Sequence, residues 1–298
     1  MLTIFTIPKP FRNNINIIQR NAIKSWCLLD HKIEIILFGD EKGVAETAKE
    51  FNCRHDPEIA KNEFGTPLIN NVFDKAQKIA KNEILAYVNA DIILMKDFLN
   101  AVRMIKMIKE KRFLMVGQRI DLDVRELINF DKSDWEKELR ERIKKEGKLH
   151  GPAGIDYFVF PHHLWENIPP FAVGRTLWDN WFLYKAWISN IPLIDATQVI
   201  TAIHQNHSYP DKKWKSGIWK GPESKTNQKL AGGLAHALTL RDVNWVLTPS
   251  GLRKPKLTFY RIFSFPFRYY EKLPMLKIFL FPGWLAMIFW RKLQNFLA

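Results

Sequence analysis

The sequence predicts an α/β fold, a mostly parallel sheet covered by helices on both faces. Two observations carry this. Short runs rich in β-branched and aromatic residues alternate with helix-period segments along the first 120 residues, the pattern of repeated β-α-β units. Hydrophobic residues make up 47% of the 298-residue chain, enough for a sizeable core and too many for a disordered protein.

Residues 2–7 read as a first strand, ended by Pro8 and Pro10. A helix follows, with Ile15, Ile18, Ala22, Trp26 and Leu29 at helical spacing. Residues 33–38 form a second strand, stopped at Gly39-Asp40, and 44–51 a short helix. A further helix spans 67–81 and leads into the apolar run 83–94. Phe98, Val102 and Ile105 mark another helix, and 113–116 a strand closed by Gly117. Parallel sheets bind ligands at the carboxyl ends of their strands. Here those ends carry residues 6–9, Gly39-Asp40 and Asn89-Ala90-Asp91, a plausible nucleotide crevice. Neither G-x-G-x-x-G nor G-x-x-x-x-G-K-[ST] occurs, so dinucleotide and P-loop readings lose their main support.

The run 83–94 reads as one buried strand interrupted by Asn89-Ala90-Asp91. A carboxylate inside such a run is costly unless paired. Read alone, the step fits a strand-end turn or a metal site carrying a diphosphate. Residues 121–150 are highly charged and read as a solvated helix or a flexible lid. Ser133-Asp134-Trp135-Glu136 fits a capping box for a helix ending near Gly147. The loop from His150 places Gly154 and Asp156 before an apolar strand, where glycine permits close approach of a ligand to the backbone. Trp178-Asp179-Asn180-Trp181 opens a helical pattern, with Asp179 in the first turn. Asp179 suits a helix-start carboxylate or a general base, and Trp178 or Trp181 suits stacking on a sugar ring. Residues 194–203 read as a strand with His204 and His207 just beyond it. Histidine and aspartate together suit manganese or a similar ion, with diphosphate oxygens and water filling the other positions.

In this order the motifs resemble the GT-A fold of nucleotide-sugar glycosyltransferases. The resemblance covers roughly residues 1–210 and rests on a β-α-β start, Asp40 at the second strand end, residues 65–71 opening a helix, Asn89-Ala90-Asp91, Trp178-Asp179 and His204. It implies a Rossmann-like catalytic domain, a nucleoside-diphosphate-sugar donor and a divalent metal, Mn2+ or Mg2+. Asn89-Ala90-Asp91 stands where the family has D-x-D. Asp91 then inherits metal binding, and Asn89 the ribose or sugar contact, one charge poorer than the family pattern. His204, better than His207, matches the histidine that completes metal binding. Thr6, Pro8, Lys9 and Asp40 match positions that hold base and ribose, with Asn71 and Lys75 in reach of the nucleotide. Asp179 matches the acceptor-side carboxylate and Trp178 stands beside it. Gly154, Asp156 and Asn180 are further expected acceptor contacts. The implied reaction moves a sugar to an acceptor hydroxyl, with Asp179 as base if the anomeric carbon inverts. A nucleotidyltransferase making the nucleotide sugar and a non-catalytic membrane-associated sugar-binding protein are the alternatives. The first expects a glycine-rich basic loop that residues 8–12 do not supply.

The net charge of +14 is uneven. From residue 253 onward there are nine basic residues against one acidic residue, Glu271. Thirteen aromatics are interleaved with them from Phe259 to Phe296. The apolar stretch 278–290 falls short of the roughly 20 residues of a spanning helix, and Pro274, Pro282 and Gly283 break it. The expectation is a catalytic domain over 1–250, with a nucleotide-sugar half 1–117 and an acceptor half 118–250 containing the charged insert, then a tail over 251–298. Residues 259–298 are expected to lie on an anionic membrane surface; packing on the domain or an oligomer contact is the alternative. No nucleic-acid module is visible. Cys27 and Cys53 form no disulfide or zinc framework, and the first residues show no secretory signal. The expected location is cytoplasmic, peripheral to the inner face of a membrane, with a lipid-linked glycan or polysaccharide precursor as acceptor.

Overall fold

The computed structural model describes residues 1–107, 111–207 and 220–297. In chain order the elements are β1 (Leu2–Thr6), α1 (Asn13–Cys27), β2 (Glu34–Phe38), α2 (Val44–Glu50), β3 (Arg54–Asp56), α3 (Ile69–Ile79), β4 (Ile84–Val88), β5 (Ile92–Ile93), α4 (Lys96–Lys106), β6 (Leu114–Val116) and β7 (Arg119–Leu122). There follow α5 (Trp135–Glu146), β8 (Lys148–Leu149), β9 (Tyr157–Pro161), α6 (Trp178–Ile188), β10 (Leu193–Asp195), β11 (Ala202–Gln205), α7 (Pro222–Ala231), β12 (Trp245–Thr248), β13 (Gly251–Arg253), α8 (Phe259–Phe263), α9 (Phe265–Tyr269) and α10 (Lys277–Leu297).

Among these residues the strands form two sheets. The larger has nine strands in the order β13-β12-β10-β6-β9-β4-β1-β2-β3. Pairings along it are parallel except those of β9 with β4 and β6, and of β13 with β12. Helices bury apolar clusters against both faces, one led by Phe5, Phe73, Phe160 and Phe182, the other by Trp26, Phe98 and Tyr157. This is the expected mostly parallel α/β architecture. The smaller sheet, β5-β11-β7-β8, stands beside the carboxyl edge of the larger one.

Two expected strands turn out to be two each. The run 83–94 divides into β4 in the large sheet and β5 in the small one, and Asn89-Ala90-Asp91 is the corner between them. The run 194–203 divides likewise into β10 and β11, so His204 lies inside a strand rather than past one. Hydrophobic patterning registers burial on either sheet equally, so it hides a change of sheet.

The charged segment contains the expected solvated helix, α5, which is tied to the fold by one buried residue and an arginine. Leu139 of α5 packs with Ile93, Leu122 and Ile203 in a third cluster. Arg140 of the same helix donates to Asp97 at 2.8 Å and to Thr201 at 3.1 Å. The capping box does not form: Asp134 stands at the N-cap and makes no side-chain cap bond.

β13 belongs to the large sheet, so the helical tail starts beyond it. One side of that tail packs inward through Phe267, Met287 and the aliphatic and guanidinium parts of Arg291. The indole of Trp187 donates to the Arg268 carbonyl at 2.9 Å. Its other side leaves Phe259, Phe263, Met275, Ile278, Phe279 and Phe289 more than half exposed. The last position of the expected tail, 298, lies outside the described residues. No helix among the described residues is long and apolar enough to cross a membrane.

Candidate metal and nucleotide site

The topology brings the expected residues to one edge. β2, β1 and β4 are adjacent and parallel, so Asp40, Lys9 and Asn89 follow three neighbouring carboxyl ends. Antiparallel β9 starts where β4 ends, Val88 opposite Tyr157, which sets Asp156 beside Asn89. The Asn89 amide donates to Asp156 Oδ1 at 2.7 Å, and its backbone N–H donates to the Asp156 carbonyl at 2.9 Å.

β5 and β11 place the metal candidates. They pair antiparallel with Ile92 opposite His204, and Asp91 immediately precedes Ile92. His207 Nε2 lies 3.2 Å from Asp91 Oδ2, and His204 Nε2 lies 3.8 Å from the same oxygen. Ligand atoms of Asp91, His204 and His207 all fall within 4.8 Å of one another. Asp91 Oδ1 is buried with no hydrogen-bond partner among the described residues. A carboxylate and two imidazoles converging around an orphaned oxygen fit a borderline divalent ion. Burial works against ionising Asp91. The hydrogen bond with His207, then the charges of His204 and Lys9, outweigh it and hold the carboxyl below its ordinary range. Burial lowers the His204 pKa, which favours the neutral imidazole a metal needs. Both histidines therefore stand at Asp91, and His207 is the nearer.

A second layer surrounds this trio. Asp121 Oδ1 lies 3.1 Å from His204 Nδ1, and Asp121 Oδ2 lies 2.8 Å from His150 Nδ1. Arg119 donates to Asp121 at 2.9 Å and to Asp156 at 2.8 Å. Arg119, Asp121 and His150 escaped the sequence reading because charged residues in a charged segment look solvated. The alternation of polar and apolar residues in 119–122 was the available signal for a strand with one face on the site.

Gly154 has a different neighbour from the expected one. A Cβ there would stand 2.4 Å from the His150 ring, so the glycine admits an imidazole of the same chain.

Asp179 sits in the first turn of α6, behind Leu177 in the left-handed backbone region at φ 72°. A buried leucine seldom adopts that conformation, and strain of this kind concentrates at functional sites. Burial raises the Asp179 pKa to about 7, and the nearby charge of Asp156 adds to the rise. The amides of Asn180 and Asp179 and the Arg119 guanidinium act against it. A carboxyl poised near neutrality can accept a proton at physiological pH.

The tryptophans are not open to a sugar. Trp178 and Trp181 are 5% and 7% exposed and belong to the aromatic core, Trp178 against Tyr87 and Phe158, Trp181 against Phe171 and Phe182. Asn180 is also buried, and its amide donates to the carbonyls of Leu238 and Ala153 at 2.9 and 3.3 Å. Trp178 thus belongs to the aromatic core, and Asn180 ties α6 to the 152–154 loop.

Asp40, Asn71 and Lys75 line an open cleft of about 730 Å3, with Lys61 and residues 57–60. Lys61 donates to Asp40 at 2.5 Å, Lys75 to Asp56 at 2.8 Å, and Asn71 accepts from the Ala60 amide at 2.8 Å. Toward β1, Gln19 pins the Lys9 backbone by a reciprocal pair at 2.6 and 2.8 Å. Pro8 is buried, and the buried Thr6 hydroxyl has no partner among the described residues.

No family model and no curated protein matches the sequence. Solved structures do. Residues 1–349 of S. aureus TarS in complex with UDP-GlcNAc match at 13% identity, over 77% of this chain and 64% of that one, with a TM-score of 0.47. Glucosyl-3-phosphoglycerate synthase from Mycobacterium tuberculosis, in complex with Mn2+, UDP and phosphoglyceric acid, matches at 12% identity over 78% and 79%, with a TM-score of 0.48. GalNAc-T7 with UDP, GalNAc and Mn2+ matches at 15% identity over 78% and 48%, with a TM-score of 0.46. The chain spans 36% of a longer TarS structure and 64% of the 1–349 form.

Proposed function

We propose that the protein is a metal-dependent glycosyltransferase that moves a sugar from a nucleoside-diphosphate sugar to an acceptor hydroxyl. The observation that carries this is the convergence of Asp91, His204 and His207 at the carboxyl edge of a parallel sheet, with Asp179 poised near neutrality on the adjoining helix. A divalent cation held by these three side chains would offset the negative charge that develops on the leaving diphosphate. The cleft at Asp40, Asn71 and Lys75 takes the base and ribose. Lys9, whose charge already reaches Asp91, faces the phosphates. Asn89 is oriented by Asp156 and retains its carbonyl oxygen as an acceptor toward a donor hydroxyl.

Asp179 receives the proton from the acceptor hydroxyl as its oxygen attacks the anomeric carbon and the bond to the diphosphate breaks. The proton ends on the Asp179 carboxylate and the electron pair on the diphosphate. This assigns an inverting reaction. The basic aromatic tail holds the enzyme on an anionic membrane surface at the inner face, by its exposed side. The acceptor is a lipid-linked glycan or polysaccharide precursor delivered there.

A melting-temperature screen of nucleoside diphosphates and their sugars, with and without Mn2+, tests the reading. A nucleotide that stabilises the protein in the presence of Mn2+, and does so much less in the Asp91→Ala variant, is the expected result. No response to any nucleotide, or an equal response in Asp91→Ala, overturns it.

A further inference from the structure

A second cavity, of about 220 Å3, opens between the start of α6 and the C-terminal helices. Ala153, Leu177 and Asn180 form one wall, Tyr260 and Trp290 the other. Leu177 and Asn180 stand at the same helix start that carries Asp179, the carboxylate assigned as base.

Its lining is mostly apolar, with Asn180, Thr239, the Tyr260 hydroxyl and two guanidiniums, Arg241 and Arg291, as the polar groups. Arg291 is committed: it donates to the Tyr260 hydroxyl at 2.8 Å, to Asp242 at 3.2 Å and to the Ala237 carbonyl. Asp242, the acid nearest in sequence to Arg241, is fully buried and taken by Arg291, Tyr260 and Thr239. Arg241 is exposed, lies over the Tyr260 ring at 5.4 Å, and makes no salt bridge among the described residues. A cation held at the rim of a mostly apolar cavity favours an anionic head group.

The outer side of the same helices says what is attached to that head. Phe259 and Phe289 are 91% and 70% exposed, and each directly precedes a cavity-lining residue, Tyr260 or Trp290. Exposed aromatics of α8 and α10 therefore stand one position along the chain from the cavity lining. Monomeric proteins rarely leave such a surface bare.

We propose that this cavity binds an anionic amphiphile, with its phosphate at Arg241 and its hydrocarbon chain along the exposed aromatics of α8 and α10. Calling this ligand the acceptor, a phosphate-bearing lipid-linked molecule, rests on the glycosyltransferase reading; the binding itself does not.

The test is calorimetric titration of the full chain with dodecyl phosphate below its micelle concentration, beside inorganic phosphate and dodecyl maltoside. Dodecyl phosphate binding roughly tenfold or more tightly than either control is expected. Arg241→Ala should lose roughly tenfold in that affinity, the scale of one charge-assisted contact, with UDP–Mn2+ binding unchanged. Trp290→Ala supplies a second variant on the opposite wall, with the same expected direction. Equal binding of inorganic phosphate makes the site a soluble-anion site, and equal binding of dodecyl maltoside makes it a nonspecific apolar surface. Either result, or unchanged affinity in both variants, refutes the proposal. Dodecyl phosphate binding without any nucleotide response would instead sink the glycosyltransferase reading and leave this one standing.

Discussion

Replacing Asp179 by asparagine should stabilise the protein at pH 8 while abolishing transfer. The side chain keeps its shape and can still accept from the amides at the start of α6, but it no longer ionises. In the wild type the carboxyl titrates near 7 when folded, against 3.8 unfolded. Below about pH 4 both states hold the proton, and the variant gains nothing. Between about 4 and 7 the unfolded chain loses its proton first, so wild-type stability falls as pH rises. Above 7 the difference is constant. Three pH units correspond to about 4 kcal/mol at most; partial solvent contact reduces this to about 1–2 kcal/mol. Urea unfolding of both proteins at constant ionic strength, from pH 4 to 8 and without metal, measures it. The stability gap should open across that interval and then level off. A gap that is flat with pH would mean that Asp179 titrates as an ordinary surface carboxylate, and the assignment as base near neutrality would fall with it.

Asp91→Ala should remove the Mn2+-induced rise in melting temperature, whereas a variant that keeps the full rise would place the ion elsewhere. Gly154→Ala forces the His150 ring to move and should cost about 1–3 kcal/mol in urea unfolding; an unchanged midpoint would show that the loop yields freely. Trp178→Ala should cost about 3–5 kcal/mol as a core truncation, and Trp178→Phe should keep most transfer activity; a large rise in acceptor KM for Trp178→Phe would restore the sugar-stacking role. Exchanging the exposed Phe259, Phe279 and Phe289 for serine should weaken binding to phosphatidylglycerol vesicles with little change in melting temperature; unchanged sedimentation with vesicles would remove the aromatic face from membrane attachment.

β1, β2, β4 and β6 of the large sheet were legible because each is a short apolar block, and α1, α3 and α4 because each has one wet face; β3, the polar run Arg54–Asp56, offered no such block, and β12 and β13 went unread. Asp91, His204 and His207 were legible for a related reason: a charged or ionisable group beside an apolar run needs an explanation. What the sequence concealed was direction. Nothing in residues 83–94 or 194–203 announces that the chain leaves one sheet for another, and so the strand carrying His204 was misplaced by a few residues. Trp178 illustrates a second blindness. An aromatic beside a carboxylate looks like a sugar platform, yet a helix nearly apolar all round buries its tryptophans. Arg119, Asp121 and His150 show the third, since the pairing of Asp121 with His150 and of Arg119 with Asp156 joins residues far apart in sequence, and only the alternation in 119–122 hinted at a face toward the site.

The corner at Asn89-Ala90-Asp91 has a thermodynamic consequence. Asp91 and His204 are spaced by the short ladder between β5 and β11, whereas Asp179 and the cleft at Asp40 belong to the large sheet and its helices. Proteins open locally in cooperative units that often coincide with single motifs. If the small sheet opens as its own unit on heating, the candidate metal site comes apart while the nine-stranded sheet is intact, and amides of residues 92–93 and 202–205 should exchange with deuterium ahead of those in β1 and β4. An ion held across that ladder would slow precisely those amides, so that loading the site and locking the smaller sheet become one event.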